Sequence, residues 1–217
     1  VRQHAIDCGA ELHCLGESFS FRRLDETRWQ WQGVSRELTD LPLPAGGVIQ
    51  LHNQSVALAA LEACDPALLD GLSETPTLLA GLSLPGRMQS YGDSHHWLLD
   101  VAHNPQAARA LRDALNGQQP ATVVVGMLAD KYAEDFVREL GLEHSSWLTC
   151  PTPGARGATA DELAERLQPL LQEGCKAYPS VEAALLAARE QTRPGELILV
   201  CGSFGVVGPA LQWLGLY

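Results

Sequence analysis

The stretch LLDVAHNPQAARAL, residues 98–111, sets an aspartate and a histidine on either side of a strand-to-helix junction. Pro105 suits the first turn of a helix, because its missing N–H would have no partner there in any case. Asn104 is a natural N-cap. Asp100 therefore closes an apolar strand, and His103 stands next to the positive end of a helix. An aspartate in that place can accept hydrogen bonds from a sugar hydroxyl. A histidine there can meet a carboxylate as a neutral N–H donor. Equally, Asp100 can cap or pair locally and His103 can be an ordinary loop residue, and spacing alone leaves both readings open.

A second junction is LVCGSFGVVG, residues 199–208. Gly202, Gly205 and Gly208 follow G-x-x-G-x-x-G and not the dinucleotide spacing G-x-G-x-x-G. Ser203 is left as a hydroxyl that can donate to a ligand. GMLADK, 126–131, ends another strand on Asp130-Lys131. PTPGARGATADEL, 151–163, puts Arg156 in a loop and Thr159 as an N-cap before Asp161-Glu162, which reads first as a well-built helix start. Several chemistries find no motif. The 217 residues carry no G-x-x-x-x-G-K-[ST] phosphate loop, no metal-ligand spacing of His, Cys and carboxylates, and no G-x-S-x-G elbow.

These residues need elements to hold them. Short apolar runs at 96–101, 121–127, 146–150, 175–178 and 196–201 read as strands. Amphipathic segments at 105–116, 131–141, 160–172, 180–191 and 206–214 read as helices. Such alternation predicts an α/β fold with a mostly parallel sheet and helices on both faces. Ligands of such sheets bind beyond the carboxyl ends of the strands, which points to 100–104, 126–131, 150–159 and 201–205. Upstream the text differs. Residues 10–16, 19–23 and 28–33 read as strands, with Trp29 and Trp31 on one face. LPLPAGG, 41–47, breaks the pattern. Helices are then expected at 53–64 with Asn53 as N-cap, at 66–72, and at 73–82 with Ser73 as cap. SLPGR, 83–87, is the expected boundary, giving domains 1–84 and 85–217. Residues 1–6, VRQHAI, read as the tail of a helix closed by Gly9, as in a piece of a longer protein.

Composition narrows the function classes. Of 217 residues 46% are hydrophobic and 19% charged, which excludes a disordered tail. The net charge of −11 with no basic stripe argues against a nucleic-acid partner, so an anionic ligand must be held locally by arginines or helix N-termini. Six cysteines without a C-x-x-C pair read as free thiols of a cytoplasmic protein. No run of 18 apolar residues suggests a membrane span.

Taken in order, LPGRMQ (84–89), LLDVAHNPQAARAL (98–111), VVGMLADK (124–131), RGAT (156–159) and VCGSF (200–204) resemble the bacterial folylpolyglutamate synthase/dihydrofolate synthase family, a branch of the Mur ligases. LPLP followed by HNQSVALAALEA resembles the end of that family's ATPase domain. The resemblance implies a Rossmann-like carboxyl-terminal domain over 85–217 and an α+β remnant of the ATPase domain over 1–84. It implies ATP-dependent activation of a carboxylate as an acyl phosphate, attacked by the amino group of L-glutamate, with dihydropteroate or reduced folate as acceptor. It assigns Asn53, Arg87 and Asp100 to the nucleotide and His103 and Ser203 to glutamate. It places the phosphate loop and the Mg2+ ligands outside these residues, so that the 217-residue chain alone is expected to be an inactive, monomeric fragment with no catalytic or metal-binding residue of its own. The competing readings are a murein-precursor ligase fragment and a non-catalytic nucleotide- or amino-acid-binding module.

Overall fold

The alternation in RWQWQ puts Trp29 and Trp31 on the same side of a strand, and both indoles are fully buried. They form the centre of the first of two units, Val1–Leu82 and Ser83–Tyr217, into which the chain divides. The computed structural model describes residues 2–44, 47–74, 79, 82 and 84–217. In the first unit β1 (Ser20–Arg23), β2 (Arg28–Gln32) and β3 (Glu37–Pro42) make an antiparallel sheet in that order. The two indole N–H groups donate to the carbonyls of Pro42 and Ser55, at 3.0 and 3.1 Å. Leu38, Leu41, Leu51 and Leu58 pack around them.

The helices of this unit differ from the sequence reading. α1 (Arg2–Cys8) ends at Gly9, whose φ of 67° permits the left-handed turn. The strand expected at 10–16 is reduced to one bridge, Leu15 to Phe19. β3 lies in a segment whose prolines concealed it. α2 runs Gly47–Cys64, so Asn53 is inside the helix and is not its N-cap. Its side chain donates to Gln50 Oε1 at 3.3 Å. The reason is that VIQLH continues the helix behind the Pro-Gly break. Asp65 caps a 3-10 turn, Pro66–Leu69, that runs into α3, Asp70–Glu74. Ser73 thus falls within α3, and most of the helix expected at 73–82 lies outside the described residues.

In the second unit the expected α/β sheet forms, with one strand more. The order is β4 (Gln89–Gly92), β5 (His96–Asp100), β9 (Leu197–Cys201), β6 (Thr122–Val125), β7 (Ser146–Thr149) and β8 (Cys175–Ala177). All neighbours are parallel except β4, which is antiparallel to β5. β4 is polar and lies at the edge, so no apolar run announces it. Side chains alternate between the faces. Leu98, Val123, Val125, Trp147 and Leu199 pack with α4 (Pro105–Leu115), α5 (Ala133–Leu140) and α6 (Ala160–Leu167). Leu99, Val124, Leu148, Ile198 and Val200 pack with α7 (Val181–Gln191) and α8 (Phe204–Trp213). Buried residues such as Leu111, Phe136 and Leu185 each contribute about 1.5–3 kcal/mol by leaving water.

Candidate functional site at the carboxyl edge of the sheet

β9 lies between β5 and β6, yet its chain leaves to the opposite face. β5 leads into α4 and β6 into α5 on one side, whereas β9 leads into α8 on the other. The crevice where neighbouring strands diverge is the usual ligand site of an open α/β sheet. The register pairs Asp100 with Cys201 and Cys201 with Val125, so the residues just beyond these three share one edge. The strands approach closely there. A Cβ on Gly202 would lie 2.4 Å from the Gly126 carbonyl oxygen, and Gly202 has φ 110°. Only glycine satisfies both conditions.

Asp100 is 4% exposed. Its Oδ2 accepts the Met88 N–H at 2.9 Å and its Oδ1 accepts the Ala102 N–H at 2.8 Å. Burial raises its pKa above the ordinary carboxylate value, opposed by those two amides and by the Arg87 charge. Local capping, one of the two sequence readings, is therefore present in the geometry.

Arg87 is half-buried; its backbone N–H donates to Leu84 O at 3.1 Å, and its guanidinium makes no hydrogen bond or ion pair with a described residue. Its guanidinium carbon lies 6.0 Å from the centroid of the exposed Phe204 ring. It is an available cation near the start of α8, which fits an anionic ligand.

The Asn104 side chain accepts from Ala107 N, and Pro105 opens α4, as the sequence required. His103 Nδ1 lies 2.9 Å from the Val101 carbonyl. A carbonyl cannot donate, so this nitrogen carries the proton, and a neutral ring offers Nε2 as an acceptor. The expectation of a neutral N–H donor toward a carboxylate is corrected on this point. Ser203 caps α8 by accepting from Gly205 N at 3.1 Å, which leaves its hydroxyl proton free to donate. α8 starts at Phe204, two residues before the expected 206, because Gly205 is accommodated inside the first turn.

The next loops extend the same edge. Leu128 bridges Gly157, Ala129 N donates to Arg156 O at 2.8 Å, and Arg156 pairs with Asp130. A hydrogen bond from Arg156 holds Asp130 below its usual pKa. Thr159 and Glu162 form the capping box that the sequence indicated. Cys150 and Cys201 are buried, with burial pushing the Cys150 thiol up to about 12 and raising Cys201 as well, so neither is a nucleophile. Among the described residues no three His, Cys, Asp or Glu side chains group to hold a metal ion. No helix among them is long and apolar enough to cross a membrane.

Four of the five candidate residues thus share one edge of the second unit. Asn53 belongs to the first unit and is exposed there. Met88 and Phe204 escaped the sequence reading. A methionine carries no signal for positive φ, whereas an aromatic residue directly after the Ser203 cap was a legible cue.

A family model described as Mur ligase, glutamate ligase domain, matches residues 86–204. The chain belongs to this family. It is 33% identical over 216 residues to the dihydrofolate synthase/folylpolyglutamate synthase of Escherichia coli K12, covering 96% of this chain and 47% of that protein. A bifunctional folylpolyglutamate synthase/dihydrofolate synthase solved with Mn, AMPPNP and L-glutamate bound superposes with a TM-score of 0.78 at 33% identity, over 99% of this chain and 50% of that one. E. coli FolC in complex with DHPP and ADP gives 0.75 at 30% identity, over 99% and 50%. This member of the glutamate ligase domain family spans about half the length of the relatives it matches.

Proposed function

We propose that the chain serves an ATP-dependent carboxylate–amine ligase that joins L-glutamate to dihydropteroate, to reduced folates, or to both. The observation that carries this reading is the convergence of Arg87, Asp100, His103 and Ser203 at the switch-point edge of a glutamate ligase domain. Arg87 would neutralise phosphate charge, Asn53 would contact the nucleotide, and Asp100, whose two oxygens each accept a backbone amide, would serve the nucleotide side by way of the loop that carries Arg87. His103 and Ser203 would hold the incoming glutamate, His103 Nε2 accepting from its ammonium group and the Ser203 hydroxyl donating to a carboxylate. The nucleotide supplies the phosphoryl group that activates the acceptor carboxylate. The residues of this chain then orient the glutamate nitrogen toward that carbon: the ammonium group gives one proton to His103 Nε2, the free amine forms the C–N bond as the C–O bond to phosphate breaks and phosphate leaves with its electron pair, and the nitrogen gives its second proton to solvent. Relatives solved with a nucleotide, Mn, L-glutamate or DHPP support these ligand classes.

Magnesium is the proposed metal, and the phosphate cradle and metal ligands are proposed to come from outside these 217 residues, which would then show no turnover by themselves. The free thiols support a cytoplasmic setting. Residues 1–84 are proposed to be the end of the ATPase domain and 85–217 the ligase domain.

Steady-state kinetics of the ligase containing this chain tests the assignment. Arg87→Ala should raise the KM for ATP roughly 10- to 150-fold, the worth of one charged contact, and leave the KM for glutamate near its starting value. Wild-type ATP kinetics in folded Arg87→Ala would remove the nucleotide from this edge.

A further inference from the structure

Glycine aside, positive φ among the described residues occurs at Asp40, Met88 and Asn116. Asn116 closes α4 as its C-cap, an ordinary place for asparagine. Asx side chains tolerate this region, whereas methionine does not. Met88 nevertheless has φ 49°, and it flanks the arginine assigned above to phosphate. Backbone strain of this kind persists only where the surroundings over-determine it.

The surroundings do so from three sides. Gly86 (φ 69°) donates its N–H to Gln89 Oε1 at 2.9 Å, and its carbonyl accepts Val101 N at 2.9 Å. A Cβ on Gly86 would meet Val207 Cγ1 at 2.6 Å, so the loop lies directly against α8. Met88 N donates to the buried Asp100 carboxylate, and the Met88 side chain packs on the core under α4. Between these two fixed residues lies Arg87, whose guanidinium carbon is 6.0 Å from the centroid of the Phe204 ring.

We infer that Asp100 and Phe204 are positioning residues for Arg87: the carboxylate locks the strained 86–88 loop through the Met88 amide, and the ring supports the guanidinium. This rests on the reading of Arg87 as the phosphate contact and goes beyond it, since Asp100 acts through Arg87. Both Asp100 oxygens already accept backbone amides, and the residue is closed off from solvent.

A double-mutant cycle in the ligase containing this chain tests it. Asp100→Asn should raise the KM for ATP by about 10-fold or more, as expected for a lost hydrogen bond to a charged group. Phe204→Ala should raise it about 2- to 5-fold, the range of an exposed cation–π contact, and Phe204→Tyr should restore it. In the Arg87→Ala background neither change should add more than about twofold, and the KM for glutamate should stay put throughout. Asp100→Asn alters a buried group and can fail to fold, in which case exposed Phe204 carries the cycle. Full, additive effects in the Arg87→Ala background overturn this inference alone. An Arg87→Ala enzyme with unchanged ATP kinetics overturns the nucleotide assignment and this inference with it.

Discussion

The Ser203 hydroxyl accepts the Gly205 amide at 3.1 Å and so caps α8 at the edge where glutamate is proposed to dock. A hydroxyl has two acceptor sites and one proton. The cap uses an acceptor site, and the proton remains for a ligand. Two substitutions separate the roles. Ser203→Ala loses both, and should lower stability by about 0.5–2 kcal/mol while raising the KM for glutamate. Ser203→Asp keeps the cap but sets a negative charge against the substrate carboxylate. Its denaturation midpoint should stay near wild type while glutamate use collapses. If glutamate kinetics survive Ser203→Asp, the residue is a cap and nothing more.

His103 is held by its Nδ1–H bond to the Val101 carbonyl. That bond orients the ring and leaves Nε2 as the ring nitrogen that can meet glutamate. His103→Ala should therefore raise the KM for glutamate about tenfold, within the usual worth of a hydrogen bond to a charged group, with little change for ATP. An ATP-only defect would move His103 to the nucleotide.

In the first unit, Glu62 is 7% exposed and ties α2 to the β2–β3 turn. Its carboxylate accepts Val34 N, Ser35 N, Ser35 Oγ and Arg36 N at 2.8–3.0 Å. Burial alone would raise its pKa, but these four donors prevail and bring it below the ordinary value of 4.5. Below that value the unfolded chain binds the proton more readily than the folded one. The stabilisation is thus complete above the unfolded pKa and fades as pH falls through the lower folded pKa. Urea midpoints of wild type should drop on acidification from pH 6 toward this range by more than those of Glu62→Gln, which is already weakened at neutral pH. Parallel curves would show that Glu62 gains nothing from its charge.

The parallel sheet and its helix starts were legible because period and caps are local: Asn104-Pro105 and the Thr159–Glu162 box need only neighbours in sequence. What escaped depends on distant partners. β4 is a polar edge strand that exists because β5 offers it hydrogen bonds. Met88 adopts positive φ because Asp100, twelve residues on, accepts its amide. Asn53 looked like a cap since it precedes an alanine-rich run, but VIQLH before it is equally able to be helical. The proton on His103 Nδ1 is fixed by a carbonyl whose direction no spacing rule supplies.

The central claim is amide formation with glutamate, and product analysis tests it most directly. The ligase containing this chain is incubated with MgATP, L-glutamate and either dihydropteroate or tetrahydrofolate, and the pterin products are resolved by mass. The expected result is a product longer by one glutamate with at least one of the two acceptors, formed in step with ADP and phosphate, and strongly reduced by Arg87→Ala. ADP formation that ignores both pterins, or glutamate transfer only to a murein precursor, would contradict the account.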